Sequence, residues 1–201
     1  MEQTASSSYK TKVVVKTLAA ARTGAEITNL LFEAGQVRTD TARERLMRID
    51  DGLSVFTEDA PREAMLGPLR AALNAGAAGD DWVRALDSLH DDLTAAVQSN
   101  KAHPQLPLVL AGAWLQASWL TSSALERAGA GPAHELLYHP DVGHYFQAYI
   151  EARGSDDLPN GMVLPLKTTL SELHTLSAQD PMPAEDVTKI RASVERILGA
   201  L

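Results

Sequence analysis

A stretch of 24 residues without a charged side chain, from Ala102 to Leu125, constrains the fold of this chain more than any other feature. It reads AHPQLPLVLAGAWLQASWLTSSAL, with apolar residues at positions that face every side of a helix. A helix that is apolar all round is either buried among other helices or inserted in a membrane. The stretch therefore predicts a helix around which the remaining segments are arranged.

The polar residues within this stretch favour a buried helix over a membrane span. Pro107 interrupts its start, and no cluster of Lys or Arg marks a cytoplasmic end. Five hydrogen-bonding side chains fall in its centre and second half: Gln116, Ser118, Thr121, Ser122 and Ser123. We therefore expect a central helix of a bundle and no membrane span.

The composition predicts that the other segments are helical as well. Apolar residues make up 45% of the 201 residues and aromatic residues only 5%. Leu, Ala and Val carry the apolar content, and Ala and Leu favour helices, whereas strands draw on β-branched and aromatic residues. The predicted fold is all-α: a compact bundle of seven or eight helices around an apolar helix at about residues 105–128. Residues 1–201 are expected to form one domain, with residues 1–9 as a polar tether.

Glycine, proline and capping residues place the predicted helices along the chain. Gly67-Pro68 is expected to kink or divide the helix that starts near Pro61. Thr41 and Glu44 are spaced as a capping box, and Gly154–Gly161 is expected to be the longest loop. The other predicted helices cover about residues 10–34, 41–56, 80–98, 133–138, 141–153, 162–177 and 183–201.

The charge and the cysteine count exclude several classes of function. The net charge is −8 and no basic stripe is present, so binding to nucleic acid or to anionic lipid is disfavoured. With no cysteine, the chain has no disulfide, thiol nucleophile or cysteine metal ligand. The N-terminal residues MEQTASSSYKTK lack the apolar core of a signal peptide. A cytoplasmic location is expected, or a periplasmic or envelope location if a targeting segment has been removed.

Two Asp-x-x-His pairs provide a metal-binding alternative. Residues three apart share a helix face, so Asp87 with His90 and Asp141 with His144 each present a carboxylate and an imidazole together. Such pairs from two helices, with carboxylates from others, form the dimetal sites of helical bundles. A metal-dependent enzyme of the four-helix type, or a metal-binding protein, with Asp87, His90, Asp141 and His144 as ligands is therefore an alternative hypothesis. Glu26, Glu33 or Glu172 would be further ligands.

A second alternative is phosphotransfer through His90. The segment from Leu89 to Thr94, LHDDLT, resembles the phosphoacceptor box of one class of bacterial sensor kinases. The resemblance implies a histidine displayed to solvent on a helix, with an acidic neighbour as base. No phosphate-binding loop of an ATP-binding domain follows it in the sequence.

The aromatic segment around Pro140 is the candidate wall of a ligand groove. Tyr138, His139, Tyr145 and Tyr149 combine aromatic and imidazole side chains with a helix break. The sequence has no nucleophile elbow, metalloprotease motif or dinucleotide fingerprint. The predicted function is therefore binding of a protein partner or a small apolar ligand, without a cofactor and without catalysis.

The second half of the chain resembles a set of uncharacterised bacterial helical proteins. The stretches LPLVLAGAWLQASWLTSSA and LKTTLSELHTLSAQDPMPAEDVTKIRASVERI carry the resemblance. Members often look like envelope lipoproteins, so the resemblance implies an all-helical fold and an envelope location, and it transfers no catalytic residue. The matching positions are Gly112, Trp114, Leu120, Leu166, Leu170, Leu173, Pro183, Val187, Ile190 and Val194.

Overall fold

The computed structural model of the chain describes residues 2–33, 39–76, 80–98, 105–129, 137, 140–157, 163–179 and 182–201. Within these ranges, the side chains of residues 2–15, 97–98, 140, 153–157 and 163 are left undescribed. These residues form eight α-helices and no strand, which confirms the predicted all-α fold. The helices are α1 (Glu2–Phe32), α2 (Thr39–Ser54), α3 (Asp59–Asn74), α4 (Asp80–Gln98), α5 (Leu106–Ala128), α6 (Pro140–Asp157), α7 (Val163–Ser177) and α8 (Ala184–Leu198).

Three helix boundaries differ from the sequence prediction. Helix α1 begins at Glu2 rather than near Lys10, and α2 begins at Thr39, which places Thr41 inside the first turn rather than at the cap. Helix α6 continues to Asp157 through half of the predicted loop. A single helical glycine costs only about 1 kcal/mol relative to alanine, so Gly154 does not by itself end a helix.

Helix α3 runs without a division through Gly67-Pro68, so the predicted division of this segment is wrong. A proline inside a helix removes one backbone hydrogen bond and restricts the residue before it. Here that residue is Gly67, which has no Cβ to collide with the proline ring. Pro68 and Ala64, whose carbonyl lacks its usual helical donor, are both exposed, so water can hydrate that carbonyl.

The chain forms two compact units, residues 16–114 and residues 115–201 together with 1–15. The prediction of a single domain over residues 1–201, with a polar tether at 1–9, stays a prediction. In residues 16–114, α2 packs against α3 and α3 against α4. Their apolar faces form a common core with α1 and the start of α5, in which the fully buried side chains are Leu30, Ile49, Leu53, Leu66, Leu69, Leu89, Leu93 and Val109.

Small residues let α1 and α5 approach to backbone contact in this unit. A Cβ atom added at Gly112 would lie 2.7 Å from the carbonyl carbon and 2.9 Å from the Cα of Ala21. A Cβ atom at Gly24 would lie 2.7 Å from the backbone nitrogen of Ala113. At the same crossing, the Thr28 hydroxyl donates a hydrogen bond of 3.1 Å to the Ala113 carbonyl. The two helices are therefore in contact at a point where only glycine fits.

A guanidinium joins α1 to α2 in the same unit. Arg45 donates two hydrogen bonds to Glu33, of 2.9 and 2.7 Å, and one of 2.7 Å to Glu26. Burial lowers the pKa of Arg45, but the hydrogen bonds and charges of the two glutamates outweigh burial and raise it above its ordinary value. Arg45 therefore stays charged at every pH at which the protein is handled.

In the unit of residues 115–201, α7 lies between α6 and α8. The amphipathic stripe predicted for α8 is confirmed, since its four apolar positions Val187, Ile190, Val194 and Ile197 are buried. The partners of this stripe include Leu166, Leu170 and Leu173, the buried face of α7. Polar contacts fix the same helices at their edges: Ser193 donates a 2.7 Å hydrogen bond to Glu172.

Helix α5 takes part in both units and is the central apolar helix that the sequence predicts. Its first half contacts α1 at Gly112, and its last turn forms a 2.7 Å ion pair from Glu126 to Arg191 of α8. By length and composition, α5 meets the criterion for a membrane-crossing helix, and 39% of its most apolar window is buried within the structure. The core helix of a soluble protein meets the same criterion. The absence of a membrane span stays a prediction.

Candidate functional site

A cleft of about 340 Å³ opens between the start of α7 and the end of α8. The two helices are joined by a short segment and pack along each other, so the first turn of α7 meets the last turn of α8. Eight residues line the cleft: Leu164, Pro165, Leu166, Thr168, Thr169, Arg196, Ile197 and Ala200. Every one of them lies in the unit of residues 115–201.

The cleft is apolar in both its floor and its wall. Leu166 and Ile197 are buried at 9% and 4% exposure, and their side chains continue the core into the floor. Leu164 is 72% exposed, the most exposed large apolar side chain among the described residues. Leucine at that exposure leaves apolar surface in water, which a bound apolar group would cover.

Three polar side chains interrupt this apolar surface: Thr168, Thr169 and Arg196. Thr168 is exposed, whereas Thr169 is buried at 2% exposure. Arg196 is exposed in the last turn of α8, and no described carboxylate lies within ion-pair distance of its guanidinium. The cleft thus contains one positive charge that no carboxylate of the described residues neutralises.

The predicted ligand groove around Pro140 falls partly outside the described residues, which do not include Tyr138 and His139. Tyr145 is 49% exposed and stacks edge-to-face on Phe146, with ring centres 5.2 Å apart, and Tyr149 is half-buried. Neither tyrosine lines the α7/α8 cleft. A ligand-binding role for these four residues stays a prediction.

The sequence does contain a signal that points to the cleft. In α7 the inward positions are Leu166, Leu170 and Leu173, and Leu164 precedes this stripe with Pro165 beside it. An apolar residue off the buried stripe, in the first turn of a helix, indicates an exposed apolar surface. The sequence does not show which residues of α8 lie beside this surface, because the packing of α7 on α8 is a tertiary property.

The four predicted metal ligands lie on two helices in different units. Asp87 and His90 are exposed on α4, and Asp141 and His144 are exposed on α6. Across the described ranges, no three His, Asp or Glu side chains form a group that could hold a metal ion. The metal hypothesis stays a prediction that the described residues do not support.

The three glutamates considered as further ligands have partners within the protein. Glu26 and Glu33 both accept hydrogen bonds from Arg45, and Glu172 accepts one from Ser193. Binding a cation at any of them would first require that these contacts break.

His144 instead faces a histidine that sequence reasoning did not consider. Its ring centre lies 6.1 Å from that of His174 on α7, with the rings tilted by 45°. Gly143 lies at the same contact, and a Cβ added there would meet the Cβ of His174 at an ordinary 3.5 Å. The imidazoles of His144 and His174 therefore lie side by side where α6 and α7 are in contact.

His90 is placed as phosphotransfer would require. Its side chain is exposed on α4, whereas Leu86, Leu89 and Leu93 are buried on the opposite face at 2%, 0% and 2% exposure. The acidic residue that follows, Asp91, is also exposed. This placement is shared by many surface histidines of amphipathic helices, and the phosphotransfer hypothesis stays a prediction.

Comparison with known proteins adds no functional assignment, since no family model, curated protein or solved structure matches the chain. The resemblance to bacterial helical proteins and the envelope location that it implies stay predictions. The α7/α8 cleft is therefore the feature on which a functional proposal can be built.

Proposed function

We propose that this protein binds a small apolar ligand in the α7/α8 cleft and acts as a binding protein rather than as an enzyme. The observation that carries the proposal is the cleft itself, an apolar concavity of about 340 Å³ with Leu164 exposed at its wall. It agrees with the sequence, in which no motif of a common enzyme class occurs.

The dimensions of the cleft favour a small molecule over a protein. Ligand pockets typically have volumes of roughly 300–1,000 Å³ and apolar linings with a few polar groups. A stable protein interface buries about 1,200–2,000 Å² over two surfaces and involves about 20–30 residues on each side. The eight residues that line the cleft are far fewer. The cleft therefore suits a ligand at the small end of the range.

The gain in free energy on binding comes mainly from covering apolar side chains. Fully burying a leucine contributes about 1.5–3 kcal/mol relative to leaving it exposed. Since Leu164 is 72% exposed, its coverage by a ligand contributes roughly two thirds of that amount. Replacing Leu164 by a charged residue removes this contribution and adds a desolvation cost.

The test uses a neutral fluorescent probe, N-phenyl-1-naphthylamine, titrated into the intact protein. We expect saturable binding with enhanced fluorescence in the wild type. For Leu164→Asp we expect dissociation constants about 5- to 30-fold higher, because roughly 1–2 kcal/mol of apolar burial is lost. The exposed position makes this variant compatible with folding, which far-ultraviolet circular dichroism verifies.

Met47→Asp is the matched control. Met47 is 61% exposed on α2, so the substitution places the same charge on a similarly exposed apolar residue that does not line the cleft. We expect this variant to bind the probe as the wild type does. Absence of saturable binding in the wild type, or equal losses in the two variants, would refute the proposal.

A further inference from the structure

We infer that the ligand of the α7/α8 cleft is an amphipathic anion, with an apolar chain in the cleft and a carboxylate head bound by Arg196. This inference rests on the proposed function and adds the chemical class of the ligand. It depends on Arg196, the charged side chain of the cleft, which the apolar-binding proposal leaves unexplained.

Arg196 supplies the positive charge. It is the single charged residue among the eight that line the cleft, and it has no carboxylate partner among the described residues. Most arginines with described side chains contact a carboxylate, as Arg45, Arg62 and Arg191 do, whereas Arg22, Arg127 and Arg196 form no ion pair with a described residue. A guanidinium presents several donors in a planar fork that matches a carboxylate.

Thr168 and Thr169 add hydroxyl groups to the lining of the cleft. A carboxylate accepts hydrogen bonds from a guanidinium and from a hydroxyl group alike.

The charge near the cleft favours an anionic head group. Lys167, in the same turn of α7 as Leu166 and Thr168, is the nearest cation in sequence to the lining residues and forms no ion pair with a described residue. Beyond a Debye length of about 8 Å, physiological salt screens the remaining acidic surface. The local positive charge at this end of the α7/α8 pair therefore decides which head group binds.

The test compares decanoate with 1-decanol, which share the alkyl chain and differ in the charge of the head group. Both are measured by displacement of N-phenyl-1-naphthylamine from the intact protein. We expect decanoate to bind the wild type about five- to tenfold more tightly than 1-decanol, because a charge-assisted hydrogen bond is stronger than a neutral one. In Arg196→Gln the preference for decanoate disappears, and the affinity for 1-decanol changes less than about twofold. Arg196→Lys retains part of the preference for decanoate, because it keeps the charge.

Arg127→Gln is the control, since Arg127 is also an exposed arginine in the last turn of its helix and does not line the cleft. It should retain the full preference for decanoate. Equal binding of decanoate and 1-decanol by the wild type refutes the inference and leaves the proposed function standing. If the probe binds but neither compound displaces it, the inference fails and the proposed function stands. If the probe does not bind, both fail.

Discussion

Replacing Gly112 by alanine tests the helix contact on which the unit of residues 16–114 depends. The new Cβ would lie 2.7 Å from the carbonyl carbon of Ala21 and 2.9 Å from its Cα. Carbon atoms in favourable contact are about 3.5–4.0 Å apart, so α1 and α5 must separate by roughly 1 Å. The atoms in the way belong to the backbone, and no side-chain rotation can relieve the overlap.

The expected loss of stability follows from two opposing contributions. Overpacking in a well-packed core costs about 1–3 kcal/mol, and a backbone obstacle places Gly112→Ala at the upper end of that range. Alanine is favoured over glycine in a helix by about 1 kcal/mol, which offsets part of the cost. We therefore expect the free energy of unfolding to fall by about 2 kcal/mol, or the midpoint of thermal unfolding to fall by about 4–8 °C.

Urea unfolding followed by circular dichroism measures this loss, with Gly143→Ala as the matched control. Gly143 is likewise a buried helical glycine at a helix contact, but a Cβ there meets His174 at an ordinary 3.5 Å. The control should gain about 0.5–1 kcal/mol. The double variant Gly24→Ala/Gly112→Ala should lose less than the sum of the single losses, since both separate the same helices. A Gly112→Ala protein as stable as the wild type would show that α1 and α5 are not in backbone contact.

Two further predictions concern charged groups. Arg45→Met should lower the free energy of unfolding by about 1–2 kcal/mol, between the values for exposed and buried ion pairs, because it leaves Glu33 without its cation and Glu26 with Arg48 alone. Arg43→Met, at a 54% exposed side chain, should change it by less than about 0.5 kcal/mol in the same urea titration. The hydrogen bond to Asp186 raises the pKa of Lys189 above its ordinary value of 10.5. The contribution of Lys189 to the stability of the folded protein is therefore complete below pH 10.5 and is lost as the pH rises through the folded-state pKa of Lys189. Thermal unfolding from pH 9 to 12 should therefore show a smaller decrease in midpoint for Lys189→Met than for the wild type, and parallel curves would contradict the assignment.

Much of the fold could be predicted from local patterns in the sequence. The charge-free stretch gives the position of α5 to within about four residues at each end, and the apolar spacing of Val187, Ile190, Val194 and Ile197 gives the buried face of α8. Both features depend on which side chains are apolar, and the sequence gives that directly. The predicted division of α3 at Gly67-Pro68 is wrong because the energetic cost of a proline within the helix depends on the exposure of Pro68, and exposure is a tertiary property.

The candidate site was less predictable, since its residues are joined only by packing. Leu164 and Ala200 are 36 residues apart, and nothing in the sequence requires that they line one cleft. The sequence motifs instead drew attention to histidines and carboxylates. Several of those carboxylates prove to bind arginine, as Glu26 and Glu33 do with Arg45. Spacing along one helix predicts which residues share a face, and it leaves open which side chain from another helix meets them.

The boundary between the two compact units lies between Trp114 and Leu115, within the continuous helix α5, and a second one lies between Val15 and Lys16 in α1. Protein engineers usually separate a chain at a loop, where few backbone hydrogen bonds are lost. Here a cut at either boundary would break a helix and expose its apolar interior at a new end. A fragment of either part that is meant to stay folded must therefore carry the whole of α5 and the whole of α1, so no single cut of the chain separates the two parts.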